Sequence, residues 1–361
     1  MRQHRTVHFG FDGVRVLAIV ALAMIIAVAF SSPASAQYKR TNLVSNNGGA
    51  PVTDPHLVNS WGLAAFPFTP FWVNDNGTGV ATLYNGAGQA QSLVVAIPAA
   101  SGGQGQPTGM VANGTGEFLV SKGGNSGSAF FLFATLDGTI SGWNPGVDLH
   151  NAIIAVPPSG DGATYTGLAS GSNTKGNFIY AADDGPNRKI DVFDGNFNPV
   201  HFSPTAFTDP GIPRDFTPYG IQNIKGQIWV TYTALNKAQG GFVDVFDTEG
   251  TLINHFAAHG PLHSPWGVAL APADFGPLSN AILISNNTSR GRINAFDAQS
   301  GQFLGTLRDV QGKPIEIDGL WGLSFGGDGM NDLNGVHNQL FFTGGPTNYA
   351  NGTFGVITFG E

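Results

Sequence analysis

The sequence predicts an all-β ring of six four-stranded blades, and three observations predict it. A phrase of a small-residue turn, Gly and an apolar step recurs six times, around Gly62, Gly109, Gly167, Gly220, Gly267 and Gly322. Its spacing is roughly 50 residues, the period of a unit that holds several short strands. The composition is glycine-dense and charge-poor, with 52 Gly, 27 Phe and 11% charged residues, which suits short strands joined by tight turns rather than helices. Each unit reads as a run of apolar segments broken by turn chemistry. Together these describe a six-bladed β-propeller with each glycine phrase on an innermost strand.

The units follow in order. The first gives WGLAAF, FWVND, VATLYN and SLVVAI, joined by NGTG and NGAGQ, sequences that tolerate positive φ. The second reads as GMVAN, EFLVSK, SAFFLFAT and GTISGW. The third gives TGLASG, NFIYAAD, KIDVFDG and a last stretch near Pro199–Phe202. The fourth gives YGIQNI, QIWVTYT, GFVDVFD and TLINHF, and the fifth WGVALA, AILISNN, GRINAFD and QFLGTL. The sixth has only WGLSF, QLFFTGG and FGVITF, while Tyr38–Ser45 is a strand without a unit. That strand is expected to pair as the outer strand of the last blade, closing the ring and removing its open edges.

Residues 1–36 read as a signal peptide, with Arg2, Arg5 and Arg15 before or at the edge of the apolar run Val16–Phe30, and Ala34-Ser35-Ala36 as the cleavage pattern. The run is shorter than the ~20 residues that span a bilayer. The expectation is a secreted or periplasmic protein, residues 37–361 forming one domain without a membrane span. The chain carries 16 Lys+Arg against 24 Asp+Glu, and losing the leader makes it more acidic still, which argues against a nucleic-acid partner. With no cysteine, disulfides and thiolate chemistry are excluded.

ATLDGTISGWNPG, IYAADDGPNRKIDVFDGNFNPV, SPWGVALAPADFG and GRINAFDAQSGQFLGTL resemble the signature segments of an uncharacterised bacterial secreted family often associated with PEP-CTERM sorting. The likeness covers Tyr38–Glu361, although no Pro-Glu-Pro signal ends this chain, so release as a soluble protein is expected. The layout is more distantly similar to NHL-type and gluconolactonase-like six-bladed propellers. The resemblance implies a propeller and export.

Loops leading into innermost strands and loops between second and third strands open on one face around the channel. Candidate ligand-binding residues there are Asn59, Asn74, Asp183, Arg214 and Asn286, with Lys122, Asn287 and Asn348 on the same loops. Candidate catalytic groups are Asp75, Asp184, Asp318 and His263, and candidate metal ligands His259, His263 and Asp318. Such carboxylates, amides and imidazoles suit a hard cation or a polyhydroxylated ligand. Calcium or zinc is therefore the cofactor to consider, and an extracellular polysaccharide, small molecule or protein the partner. Two functions stand side by side: a binding module using the channel face, and a metal-dependent lactone or ester hydrolase or lyase as gluconolactonase-like relatives imply. Trp61, Trp266, Trp321 and Tyr219 precede the repeat glycines and are expected as wedges between blades, the alternative being that they line the channel mouth and stack on sugar or aromatic ligands. Gly322–Gly326 matches G-x-S-x-G, but Ser324 stands where other repeats carry Ala64, Ala169 and Ala269, so it reads as strand rather than nucleophile elbow.

Overall fold

Glycine fixes the architecture because each repeat glycine faces the backbone of the next blade. In the computed structural model, a Cβ on Gly220 would sit 2.0 Å from the carbonyl oxygen of Trp266, and one on Gly109 2.2 Å from the Leu168 nitrogen. Gly62, Gly267 and Gly322 meet Thr108, Trp321 and Trp61 in the same way, so the series closes from the last blade to the first. The structure describes residues 1–4, 6, 38–236 and 239–360. Of two units, Met1–Ser35 and Ala36–Glu361, the first holds most of the expected leader, which lies almost wholly outside the described residues. Among the described residues no helix is long and apolar enough to cross a membrane.

The second unit is a six-bladed β-propeller. Blade 1 comprises Ser60–Ala64, Phe71–Asp75, Val80–Tyr84 and Val95–Ala96. Blade 4 comprises Phe216–Ile224, Gln227–Ala234, Phe242–Phe246 and Leu252–Ala258, and blade 5 Pro265–Leu270, Ile282–Asn286, Ile293–Phe296 and Phe303–Thr306. In blade 3, Tyr165–Asn173, Gly176–Asp183 and Ile190–Asp194 are joined by a fourth segment reduced to a Phe193–Pro199 bridge. Blade 2 departs from the sequence reading. Its strands are Pro107–Ala112, Phe131–Thr135, Ile140–Trp143 and Ile153–Val156, and the EFLVSK segment instead forms a separate hairpin, Leu119–Lys122 with Asn125–Ser128. Lys122 therefore sits on that hairpin, paired with Asp148, and not on the channel loops.

Blade 6 closes as expected. Tyr38–Ser45 pairs antiparallel with Thr353–Phe359, outside Leu340–Gly344 and Leu320–Phe325. Tyr38 anchors the clasp: its ring packs on Phe275 and Phe359, its hydroxyl donates to the Phe275 carbonyl at 2.8 Å, and burial pushes its phenol up to about 12.

Each blade face is covered by a neighbour, so the strands read as near-continuous apolar runs such as QIWVTYTA rather than strict alternation. Six buried clusters fill the six gaps between blades. Trp72, stacked on Phe131, Trp143, in contact with Trp72, and Trp229, against Phe256, are the wedge tryptophans. The four residues expected as wedges, Trp61, Trp266, Trp321 and Tyr219, gather instead around the channel. Trp61, Trp266 and Trp321 form a seventh cluster on the propeller axis. The ladder slips at the repeat phrase in every blade, for instance between Ser60 and Leu63 and between Leu320 and Leu323. Such bulges re-aim side chains, and here they turn the aromatic ring into the channel while the following glycine meets the next blade.

Candidate functional site

The channel is built of two layers. In the glycine layer, the polar hydrogen-bonding capacity of each inner strand is satisfied by the preceding blade. Asn74 donates to the Thr108 carbonyl at 3.0 Å, Thr108 to Tyr165 at 2.7 Å, Thr166 to Tyr219 at 2.8 Å and Ser285 to Trp321 at 2.6 Å. Thr343 donates to the Trp61 carbonyl, and Thr231 reaches Trp266 at 3.5 Å. Between the glycines only about 20 Å³ is left open, so the channel is shut at this level.

Above it, on the face where first strands begin and second strands end, a pocket of about 560 Å³ opens. Trp61 and Trp321, stacked at 3.6 Å, line it together with Tyr219 and Tyr349. Trp266 closes the cluster edge-on at 6.2 and 5.9 Å and donates its indole N–H to the Thr166 carbonyl. The polar wall comprises Asn59, Thr217, Ser264, Asn287 and Asn348, with one carboxylate, Asp184, and one imidazole, His263. Asn59 accepts the Trp321 indole N–H and Asn287 accepts the Tyr349 hydroxyl at 2.8 Å, so these amides hold the aromatic rings in place. Burial, reinforced by neighbouring Asp183, raises the Asp184 carboxyl above its usual range, while Thr217 and Arg188 pull it back. Tyr219 is held protonated by burial and by Tyr349 and Asp184 nearby.

The backbone of this rim is unusual. Asn59 and Ser264 have φ of 50° and 48°, and Thr347, Asn348 and Tyr349 are consecutive left-handed residues at 61°, 51° and 67°. For an L-residue other than Gly this conformation costs about 1–2 kcal/mol each. Such strain persists only where the surroundings over-determine it, and it gathers at binding and catalytic sites. Asp318 supplies part of that determination: its carboxylate accepts the Thr347 N–H at 2.8 Å.

Of the residues expected at the site, Asn59, Asp184 and His263 line the pocket, as do Asn287 and Asn348. Asp318 stands behind it as the support of the Thr347–Tyr349 turn. Asn74 is an inter-blade tie. Asp75 is fully buried, held by Thr82 at 2.7 Å and raised well above the carboxylate range by burial. Asp183 caps its loop through the Thr164 and Gly185 N–H groups. Asn286 ties to the Pro261 carbonyl, Arg214 lines a separate cleft, and His259 packs edge-on against Phe242. His259, His263 and Asp318 do not converge, and among the described residues only Asp209, Asp244 and His255 bring three metal-ligating side chains together. The Asn59 and Asn287 amide oxygens of the pocket are engaged by the Trp321 indole and the Tyr349 hydroxyl. For Trp61, Trp266, Trp321 and Tyr219 the structure favours the channel-lining alternative over the wedge expectation, because the bulge that turns them to the axis leaves no mark in a two-residue periodicity.

No protein-family model matches the chain. It is 33% identical over 305 residues to uncharacterized protein L690 of Acanthamoeba polyphaga mimivirus, spanning 81% of this chain and 79% of that protein. It is 32% identical over 320 residues to uncharacterized protein R648 of the same virus, spanning 85% and 76%. The chain belongs to the family of these mimivirus proteins. Its fold is shared with virginiamycin B lyase from Staphylococcus aureus (TM-score 0.50, 12% identity, 89% of this chain and 99% of that one). A glucose dehydrogenase is alike at TM-score 0.50 and 12% identity, over 90% of this chain and 99% of its own. At such identity the likeness concerns the six-bladed architecture alone.

Proposed function

We propose that this propeller is a binding module whose channel mouth takes a small, neutral, polyhydroxylated ligand of the sugar class. The observation that carries this reading is the pocket of about 560 Å³ at the channel mouth, where aromatic rings share one lining with neutral amide and hydroxyl groups. The partly buried rings of Tyr219 and Tyr349, backed by the stacked indoles of Trp61 and Trp321, offer an aromatic wall, and Asn, Thr and Ser offer donors and acceptors around it, the mix that orients a ligand in a pocket of this size. Titration of intrinsic tryptophan fluorescence with a panel of neutral mono- and disaccharides tests it. Saturable quenching by at least one member is expected, and a flat response to all would contradict it.

A second reading, hydrolysis or elimination at the same mouth, is favoured by one feature: the raised carboxyl of Asp184 shares the pocket with His263. A carboxyl moved toward neutrality is suited to general acid–base work. Turnover of lactone or ester substrates that disappears in Asp184→Asn while binding persists would select this reading.

We infer further that the propeller works outside the cytoplasm. The basic, apolar and small-residue order of residues 1–36 supports export, and Tyr38, the first residue the ring uses, follows closely on Ala36. N-terminal sequencing of exported protein should begin at Gln37; an intact Met1 in the exported fraction would refute cleavage there.

A further inference from the structure

Away from the channel, three side chains from three chain segments converge on the outer part of blade 4. Asp244 lies on the third strand and His255 directly opposite it on the fourth. Asp209 comes from the link before the first strand, with one carboxylate oxygen fixed by the Gly211 N–H at 2.7 Å. His255 Nδ1 stands 2.8 Å from Asp209 Oδ2 and 2.8 Å from Asp244 Oδ1. A ring nitrogen carries one hydrogen at most, so it cannot make a full bond to both carboxylates.

Asp244 is 0% exposed, and its second oxygen has no hydrogen-bond partner. Tyr232 approaches that carboxylate without closing a hydrogen bond of normal geometry. A buried carboxylate with an idle oxygen is costly unless a positive charge meets it. The cluster is therefore short of positive charge, with its donor atoms within 4.8 Å of one another.

We propose that Asp209, Asp244 and His255 bind one divalent transition-metal ion of the zinc class at the edge of blade 4. An imidazole nitrogen with two carboxylate oxygens suits zinc, whereas calcium and magnesium prefer oxygen throughout. Asp209 also lines a cleft of about 330 Å³, which gives the ion a fourth position open to solvent. Arg188 and Arg214 line the same cleft, so that position suits water or an anion rather than another cation.

The test is calorimetric titration of the metal-stripped full chain with zinc chloride, with melting curves in parallel. Wild type is expected to bind one zinc ion per chain and to gain several degrees in Tm at saturation. His255→Gln and Asp209→Asn should each weaken zinc binding at least about tenfold, with metal-free melting close to wild type. Should one variant fail to fold, the other decides. Absence of saturable zinc binding by wild type, or unchanged affinity in a folded variant, overturns the assignment and leaves the trio a carboxyl–imidazole proton network.

Discussion

The glycine layer and the aromatic layer of the channel are adjacent residues of one repeated phrase, yet they obey different constraints. Every blade keeps glycine where its inner strand touches the next, because a Cβ there meets backbone that cannot move aside. One residue earlier the blades differ: Trp61, Tyr219, Trp266 and Trp321 on four of them, Thr108 and Thr166 on the other two. The two threonines turn their hydroxyls to the next blade, while the aromatic residues turn into the channel. The pocket accordingly lies on the aromatic side of the ring. A repeat position that contacts neighbouring backbone is held uniform, and one that faces the axis is free to specialise.

That contrast can be broken first at the glycines. Gly220→Ala places a Cβ 2.0 Å from the Trp266 carbonyl oxygen, a backbone obstacle, and should cost more than about 4 kcal/mol or abolish soluble expression. An unchanged Tm in that variant would show that the layer is not a steric limit. Deleting Tyr38–Ser45 uncovers the Thr353–Phe359 edge and removes the Tyr38 anchor, and should lower the Tm sharply or prevent soluble expression.

Smaller effects sharpen the picture. Thr343→Val leaves the Trp61 carbonyl and the Gly322 N–H without their partner, a loss of about 1–3 kcal/mol by chemical denaturation. Asp184 should reveal itself through pH. Its carboxyl is raised in the folded state, so its stabilising contribution is present below the unfolded value of about 4 and is lost as pH rises through the folded value. Asp184→Asn lacks this loss, so its Tm should gain on wild type as pH increases from acid to neutral. Parallel Tm curves for the two proteins would deny the shift.

The blade plan was legible in the sequence because glycine phrases and apolar runs report backbone contacts and strand burial directly. Blade 2 was misread because the apolar EFLVSK segment has strand composition but pairs only with Asn125–Ser128. Loop position alone places Asn59, Asp184 and His263 on the channel face, and they line the pocket there. Asp75 and Asn74 share those loops' composition, yet Asn74 reaches the Thr108 carbonyl of the next blade and Asp75 is buried against Thr82 of its own. The Asp209, Asp244 and His255 cluster was hidden for another reason: its members are close only after the third and fourth strands pair and the blade 3–4 link folds over them.

The claim that the aromatic layer is a binding surface meets its most direct test in Tyr349→Ala, which removes a ring from the pocket rim while leaving the glycine layer intact. A neutral saccharide that quenches wild-type tryptophan fluorescence saturably should lose at least about tenfold in affinity for the variant, with Tm changed by no more than a few degrees. Equal affinity in the two proteins would contradict the assignment of the channel mouth as the site.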